Sequence, residues 1–180
     1  VHTVLARPQL RLHAADYRAS GRLVRVDANG ARTSYAIRLK ARWFPGGLRV
    51  LLVVASPSNA RVNILLEMRP SGQTTIQIAH PGDAASVRLP FDKWNDGPLG
   101  VGFSYEDFLE PQYFWRNQAV LEETKYGARE CDVLSSRPDR LDRTYYAEVR
   151  TWLDQEIGYP VYADKTLKRT GAVKEFTYFG

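Results

Sequence analysis

Apolar and polar residues alternate with a period of two through much of this chain. The cleanest run places Tyr35, Ile37, Leu39, Ala41 and Trp43 on one side. Ser34, Arg38, Lys40 and Arg42, with Ala36 among them, fall on the other. Successive side chains of a strand point to opposite faces, so this run predicts a strand with one buried and one wet face, as antiparallel sheets have. Val62, Ile64, Leu66 and Met68 repeat the pattern against Arg61, Asn63, Glu67 and Arg69. Thr74, Ile76 and Ile78 continue it against Thr75 and Gln77, and Val87 and Leu89 flank Arg88. The run 48–55 is more apolar on both sides, as a central strand would be. Residues 17–27 read as a further strand, and Asn29-Gly30 after it predicts a tight two-residue hairpin, because both residues accept positive φ. Pro45-Gly46-Gly47, Ser56-Pro57-Ser58-Asn59, Pro70-Ser71-Gly72 and His80-Pro81-Gly82-Asp83 supply turns between the other runs. Consecutive strands on short turns make a meander, and the lack of amphipathic helices between them argues against a parallel βαβ sheet. At the start of the chain, Pro8 breaks any long helix, so residues 1–15 are expected as a frayed end or a first strand.

The alternation stops at residues 91–99, around Trp94 and an Asn95-Asp96-Gly97-Pro98 turn. Ser104 then reads as an N-cap, and with Asp107 it approximates a capping box. Glu106 and Asp107 place negative charge at the positive end of the turn, and Pro111 cannot continue it. One helical turn is therefore expected, with Tyr105, Phe108 and Leu109 as its apolar side. Such a plug either closes one end of the core or covers a cavity. Strands resume over 113–125 and 129–135, about a Tyr126-Gly127 turn. Over 144–154, Tyr145, Ala147, Val149 and Leu153 are expected on one side, and Tyr146, Glu148, Arg150 and Trp152 on the other. Short strands follow at 161–163 and 173–179. The architecture expected is mainly β (α+β), one domain over residues 1–180, with a curved antiparallel sheet or barrel around an aromatic-lined interior.

Composition changes this picture little. The chain has 180 residues, enough for a sizeable core, and ten Tyr, seven Phe and four Trp suit strands. The net charge of +5 comes from Arg and Lys that alternate with apolar residues. They form solvated strand faces first and a surface for anionic headgroups second, and no nucleic-acid partner is expected. The single Cys131 excludes an internal disulfide and reads as a small buried hydrophobe. No run reaches the ~20 apolar residues of a membrane helix, and no signal peptide stands in this sequence. His2, His13 and His80 have no metal-ligand spacing, and neither a nucleophile elbow nor a phosphate loop is present. Glu106 and Asp107 would point apart as neighbours on a turn, so they read as helix-start charges rather than an acid/base pair. No catalytic residue, metal or cofactor is expected.

The segment Phe103-Ser104-Tyr105-Glu106-Asp107-Phe108 resembles the Phe-Ser/Thr-Tyr-Glu-Asp-Leu signature of bacterial outer-membrane lipoprotein-sorting-protein-like domains, relatives of the Lol-type lipoprotein carriers. The likeness continues through Tyr126-Gly127, Cys131, Pro138, residues 145–153 and Lys174. It covers 100–180 well and the first half in pattern. Leu89-Pro90-Phe91-Asp92-Lys93-Trp94 stands where that family has Leu-Pro-x-Leu-Arg-Arg, so no partner is implied through those arginines. The resemblance implies an incomplete antiparallel β-barrel whose short helices plug a hydrophobic cavity. It also implies a periplasmic or cell-envelope protein that binds lipid or lipoprotein acyl chains. Together with the alternating face and the plug, it makes Tyr35, Ile37, Leu39, Trp43, Val62, Ile64, Leu66, Met68, Tyr105 and Phe108 the expected cavity residues. Two functions follow. One is a carrier or sensor of acyl chains, with peripheral membrane contact. The other is a non-catalytic module with a filled core that contacts an envelope protein.

Overall fold

The computed structural model describes residues 1–179. The protein is mainly β, with two antiparallel sheets, and its chain forms two compact units.

The first unit, Ala14–Glu110, holds a six-stranded meander. Its strands are β1 (Asp16–Val26), β2 (Arg32–Phe44), β3 (Gly47–Ser56), β4 (Val62–Met68), β5 (Thr74–Ala79) and β6 (Val87–Arg88), each antiparallel to the next. The register sets Leu39 opposite Leu52, Leu52 opposite Ile64, and Ile64 opposite Ile78. One step along, Ala41, Val50, Leu66 and Ile76 form the next apolar row. These rows share one face, on which Leu52, Leu66 and Ile76 are wholly buried. The expected alternation holds in β2. Tyr35 and Ala41 are buried and Ile37, Leu39 and Trp43 half-buried, while Ser34, Arg38, Lys40 and Arg42 are exposed. In β4, Ile64, Leu66 and Met68 are buried and Val62 half-buried. Strand β3 is central, but Leu51 lies 38% exposed on the wet face.

The β1–β2 connection differs from the expected two-residue turn. The Gly30 N–H donates to the Asp27 carbonyl (3.0 Å), the Asp27 N–H donates to the Ala31 carbonyl (3.0 Å), and only Gly30 has positive φ (81°). The Asp27 carboxylate accepts from the N–H groups of Asn29 and Ala31. The side chain of Asp27 thus organises a longer loop, in which a type I turn is followed by a left-handed glycine.

The second unit comprises Val1–His13 and the chain from Pro111 onward. Here α1 (His2–His13) replaces the expected frayed end or strand. Pro8 removes one helical hydrogen bond, but Pro8 and Leu12 are buried, and the Gln9 amide donates to the Tyr113 carbonyl at 2.7 Å. Tertiary packing outweighs the local penalty. Five strands follow: β7 (Asn117–Tyr126), β8 (Arg129–Arg137), β9 (Tyr146–Asp154), β10 (Pro160–Leu167) and β11 (Val173–Thr177), paired in that order. β7 starts later than expected, because Pro111–Phe114 forms a 3₁₀ turn.

The faces expected for β9 also change. Leu167 pairs with Tyr146 and Thr166 with Glu148, which leaves Ala147 as a bulge. One extra residue reverses the alternation, so Tyr146 is buried beside Val149 and Trp115 while Ala147 is exposed. Lys165 is 1% exposed, its ammonium 4.6 Å from the Phe176 ring and 5.5 Å from the Tyr146 ring. Cys131 is buried as expected, and burial pushes its thiol pKa up. The end strands of each sheet pair with one neighbour only, so neither sheet closes on itself. No helix among the described residues is long and apolar enough to cross a membrane.

Candidate functional site

The site lies in the first unit, where the apolar face of the meander meets residues 91–109. That segment is a series of 3₁₀ turns. Trp94 anchors it, 2% exposed, with its indole N–H donating to the Leu89 carbonyl (3.3 Å) and its ring edge-on to Phe91. Gly97 then bends the chain at φ 68° and ψ 161°. The turn Tyr105–Phe108 forms as its sequence predicts. The Ser104 N–H donates to the Asp107 carboxylate at 2.7 Å, which completes a capping box.

Its other carboxylate departs from expectation. Glu106 is not a solvated helix-start charge but is 1% exposed. Adjacent residues on the turn do point apart, and here the separation sends Asp107 to the cap and Glu106 inward. Tyr105 is buried too, and burial raises its phenol pKa, with a smaller push from the Asp96 carboxylate. Phe108 is half-buried and tilts against Phe103, with centroids 5.8 Å apart.

A pocket of about 270 Å³ opens beside this turn. Val62, Ile64 and Ile78 of the sheet line one side, and Leu99 and Tyr105 line the other. Arg61 and His80 add polar groups to its wall. The Arg61 Nε donates to the Ala55 carbonyl (3.2 Å), and His80 Nδ1 lies 3.5 Å from the Asp83 carboxylate. Next to the pocket, Leu23, Tyr35, Val54 and Val101 form a buried cluster, with Ile37 and Val62 packed against it.

The structure thus brings Val62, Ile64 and Tyr105 to one pocket and Tyr35 and Ile37 to the cluster beside it. Leu66 and Met68 are fully buried farther along the same face, and Leu39 and Trp43 are half-buried there. Phe108 does not line the pocket. Sequence reasoning missed Ile78, Leu99, Arg61 and His80 as pocket residues. Ile78 stood in an alternating run and could have been included. Leu99 carried no signal, because its place depends on a left-handed backbone (φ 62°).

No family model and no curated protein matches the sequence. Solved structures do match. One, named for an outer membrane lipoprotein-sorting protein domain from Vibrio parahaemolyticus, superposes with a TM-score of 0.80 at 19% identity, covering 94% of this chain and 72% of that one. A DUF1329 family protein from Desulfovibrio piger gives 0.81 at 13% identity, covering 96% and 74%. A LolA superfamily protein from Nitrosomonas europaea gives 0.69 at 15% identity, covering 96% and 73%. The chain therefore has the fold shared by these lipoprotein-sorting, DUF1329 and LolA superfamily structures.

Proposed function

We propose that this protein is a non-catalytic carrier or sensor of lipid or lipoprotein acyl chains in the periplasm or cell envelope. The observation that carries this reading is the pocket between Val62, Ile64 and Ile78 and the capped turn bearing Tyr105. Val62, Ile64, Ile78 and Leu99 in its wall suit an acyl chain, and Arg61 and His80 at the same wall suit a polar or anionic group at the chain's end. Each buried CH₂ gains about 0.8 kcal/mol before ordering costs. At about 270 Å³ the pocket stands just below the ~300 Å³ lower end of ligand sites, so a long chain requires the turn to give way. The lipoprotein-sorting fold supports the same reading.

The test is titration with a fluorescent fatty acid, alongside native mass spectrometry for co-purified lipid. Val62→Asp, at a half-buried pocket position, should weaken probe binding strongly and leave the β-sheet circular dichroism intact. Phe108→Asp should weaken it less, by loosening the turn. A wild-type protein that binds no probe at any salt concentration sinks the proposal. The full burial of Leu52, Leu66 and Ile76 supports the second reading, a filled-core module that contacts an envelope partner. Failure to bind the probe would favour it.

A further inference from the structure

We propose that the outward face of strands β1–β4 is a docking surface for anionic phospholipid membranes. The face opposite the apolar rows carries a shallow groove of about 430 Å³, and a second of about 360 Å³ shares Arg38 and Val53 with it and continues to the end of the sheet at Arg61 and Val62, which also line the pocket. Arg18, Arg38 and Lys40 flank Leu51 and Val53 on the β1–β2 side of the first, and Arg61 lies in the second. No carboxylate lines either groove.

The strand register makes this arrangement unfavourable for the isolated protein. Arg18 lies directly opposite Lys40, and Arg38 is two residues along the same strand as Lys40. Like charges directly opposite one another destabilise a strand pair. Two other cations on this face have partners: Arg42 lies 4.0 Å from Asp16, and Arg49 lies 3.0 Å from Glu67. Arg18, Arg38 and Lys40 sit between those pairs and the far edge, exposed, and form no ion pair among the described residues. An external anionic surface relieves their repulsion.

The shape of the patch selects the partner. Strands β2 and β3, which carry Arg38, Lys40 and Leu51, are paired on both sides, so an extended peptide could add only at β1, beside the patch rather than across it. The cations are spaced by about 5 Å between strands and about 7 Å along them, which gives many similar contacts rather than one anion-binding cradle. Leu51, 38% exposed and opposite Lys40, puts an apolar side chain at the border of the basic patch. Cations beside an exposed apolar side chain match a field of headgroups above acyl chains.

Each basic residue near an anionic leaflet adds about fivefold to membrane partition, and salt screens the effect. The experiment is co-sedimentation with vesicles of phosphatidylglycerol mixed with phosphatidylcholine, and with vesicles of phosphatidylcholine alone, at low and high salt. Arg18→Gln/Arg38→Gln/Lys40→Gln should reduce partition to the anionic vesicles about a hundredfold at low salt. The charge-matched control Arg140→Gln/Lys168→Gln/Arg169→Gln removes exposed cations of the other unit and should change it far less. Equal loss in both variants, equal binding to neutral vesicles, or no binding to anionic vesicles overturns the proposal. None of these outcomes depends on whether the pocket takes a fatty acid, so the two proposals fail separately.

Discussion

Replacing Gly97 with alanine should unseat the turn that carries Tyr105. At φ 68° and ψ 161°, Gly97 occupies a backbone region that is essentially glycine-only, and a side chain there costs roughly 1–3 kcal/mol. Sterics add to this. A Cβ at Gly97 would collide with the carbonyl oxygen of Phe103 and approach that of Val101 to 2.8 Å. Both are backbone atoms and cannot rotate aside, so the strand of chain from Val101 to Phe103 must shift. Forced overpacking of this kind costs about 1–3 kcal/mol. The sum is roughly 2–6 kcal/mol, and for a chain of this size a fall in melting temperature of roughly 4–24 °C. Gly102 provides the control within the same segment. It lacks positive φ, a Cβ there meets nothing within 4 Å, and Gly102→Ala should stay within about 0.5 kcal/mol. Thermal and urea denaturation followed by circular dichroism measure both variants. Probe titration supplies a second readout, since the shifted segment leads directly into Ser104 and Tyr105. If Gly97→Ala and Gly102→Ala melt together, Gly97 does not hold the turn in place and the account of the pocket wall is wrong.

Gly30→Val should lower the melting temperature by several degrees. A Cβ there meets nothing within 4 Å, so the backbone alone, at φ 81°, sets a cost of about 1–2 kcal/mol or more; an unchanged melting curve would refute the left-handed assignment. Asp154→Asn should flatten the acid limb of the stability profile. Its carboxylate accepts from Arg129 at 2.6 Å and from the N–H groups of Glu156 and Ile157, and the Arg129 bond leads in holding its pKa down against burial. A depressed carboxylate pKa contributes stability above the unfolded value of about 4 that is lost as pH falls below it, so an identical acid denaturation midpoint in the variant would contradict the argument.

The fold was legible wherever local pattern and final register agree. Strands β2 and β4 carry no extra residue in their alternating stretches, the one shift beside β2 being taken up by Ala55 of β3, so Tyr35, Ala41, Ile64 and Leu66 face where their spacing puts them. Strand β9 fails at Ala147, because a bulge arises from pairing with β10 and leaves no mark in the alternation of β9 itself. Helix α1 fails for a similar reason. Its Pro8 argues against a helix locally, and the bond that holds it down reaches Tyr113, 104 residues away. At the site, the capping box was local and was read correctly, whereas the fate of Glu106 was decided by what the turn packs against. Leu99 and His80 reached the pocket through turn geometry, which composition does not encode.

The two proposed surfaces depend on one register. Because side chains alternate, β2 presents Ile37, Leu39 and Ala41 to one face and Arg38, Lys40 and Arg42 to the other. A slip of a single residue would exchange the two sets. That slip is costly on both sides of the sheet. It would bury three cations among Leu52, Ile64 and Leu66 without partners, a penalty of several kcal/mol per ion, while exposing the apolar row. The connection to β3 also opposes it. Phe44 pairs with Gly47 across a two-residue Pro45-Gly46 loop, and a Cβ at Gly47 would run into the carbonyl of Met68. Glycine at that position lets β3 and β4 approach closely at the end where their register begins. The cationic face is thus held in place by the same packing that forms the apolar face. Substitutions at Arg18, Arg38 and Lys40 therefore test the outer surface without disturbing the rows that line the pocket.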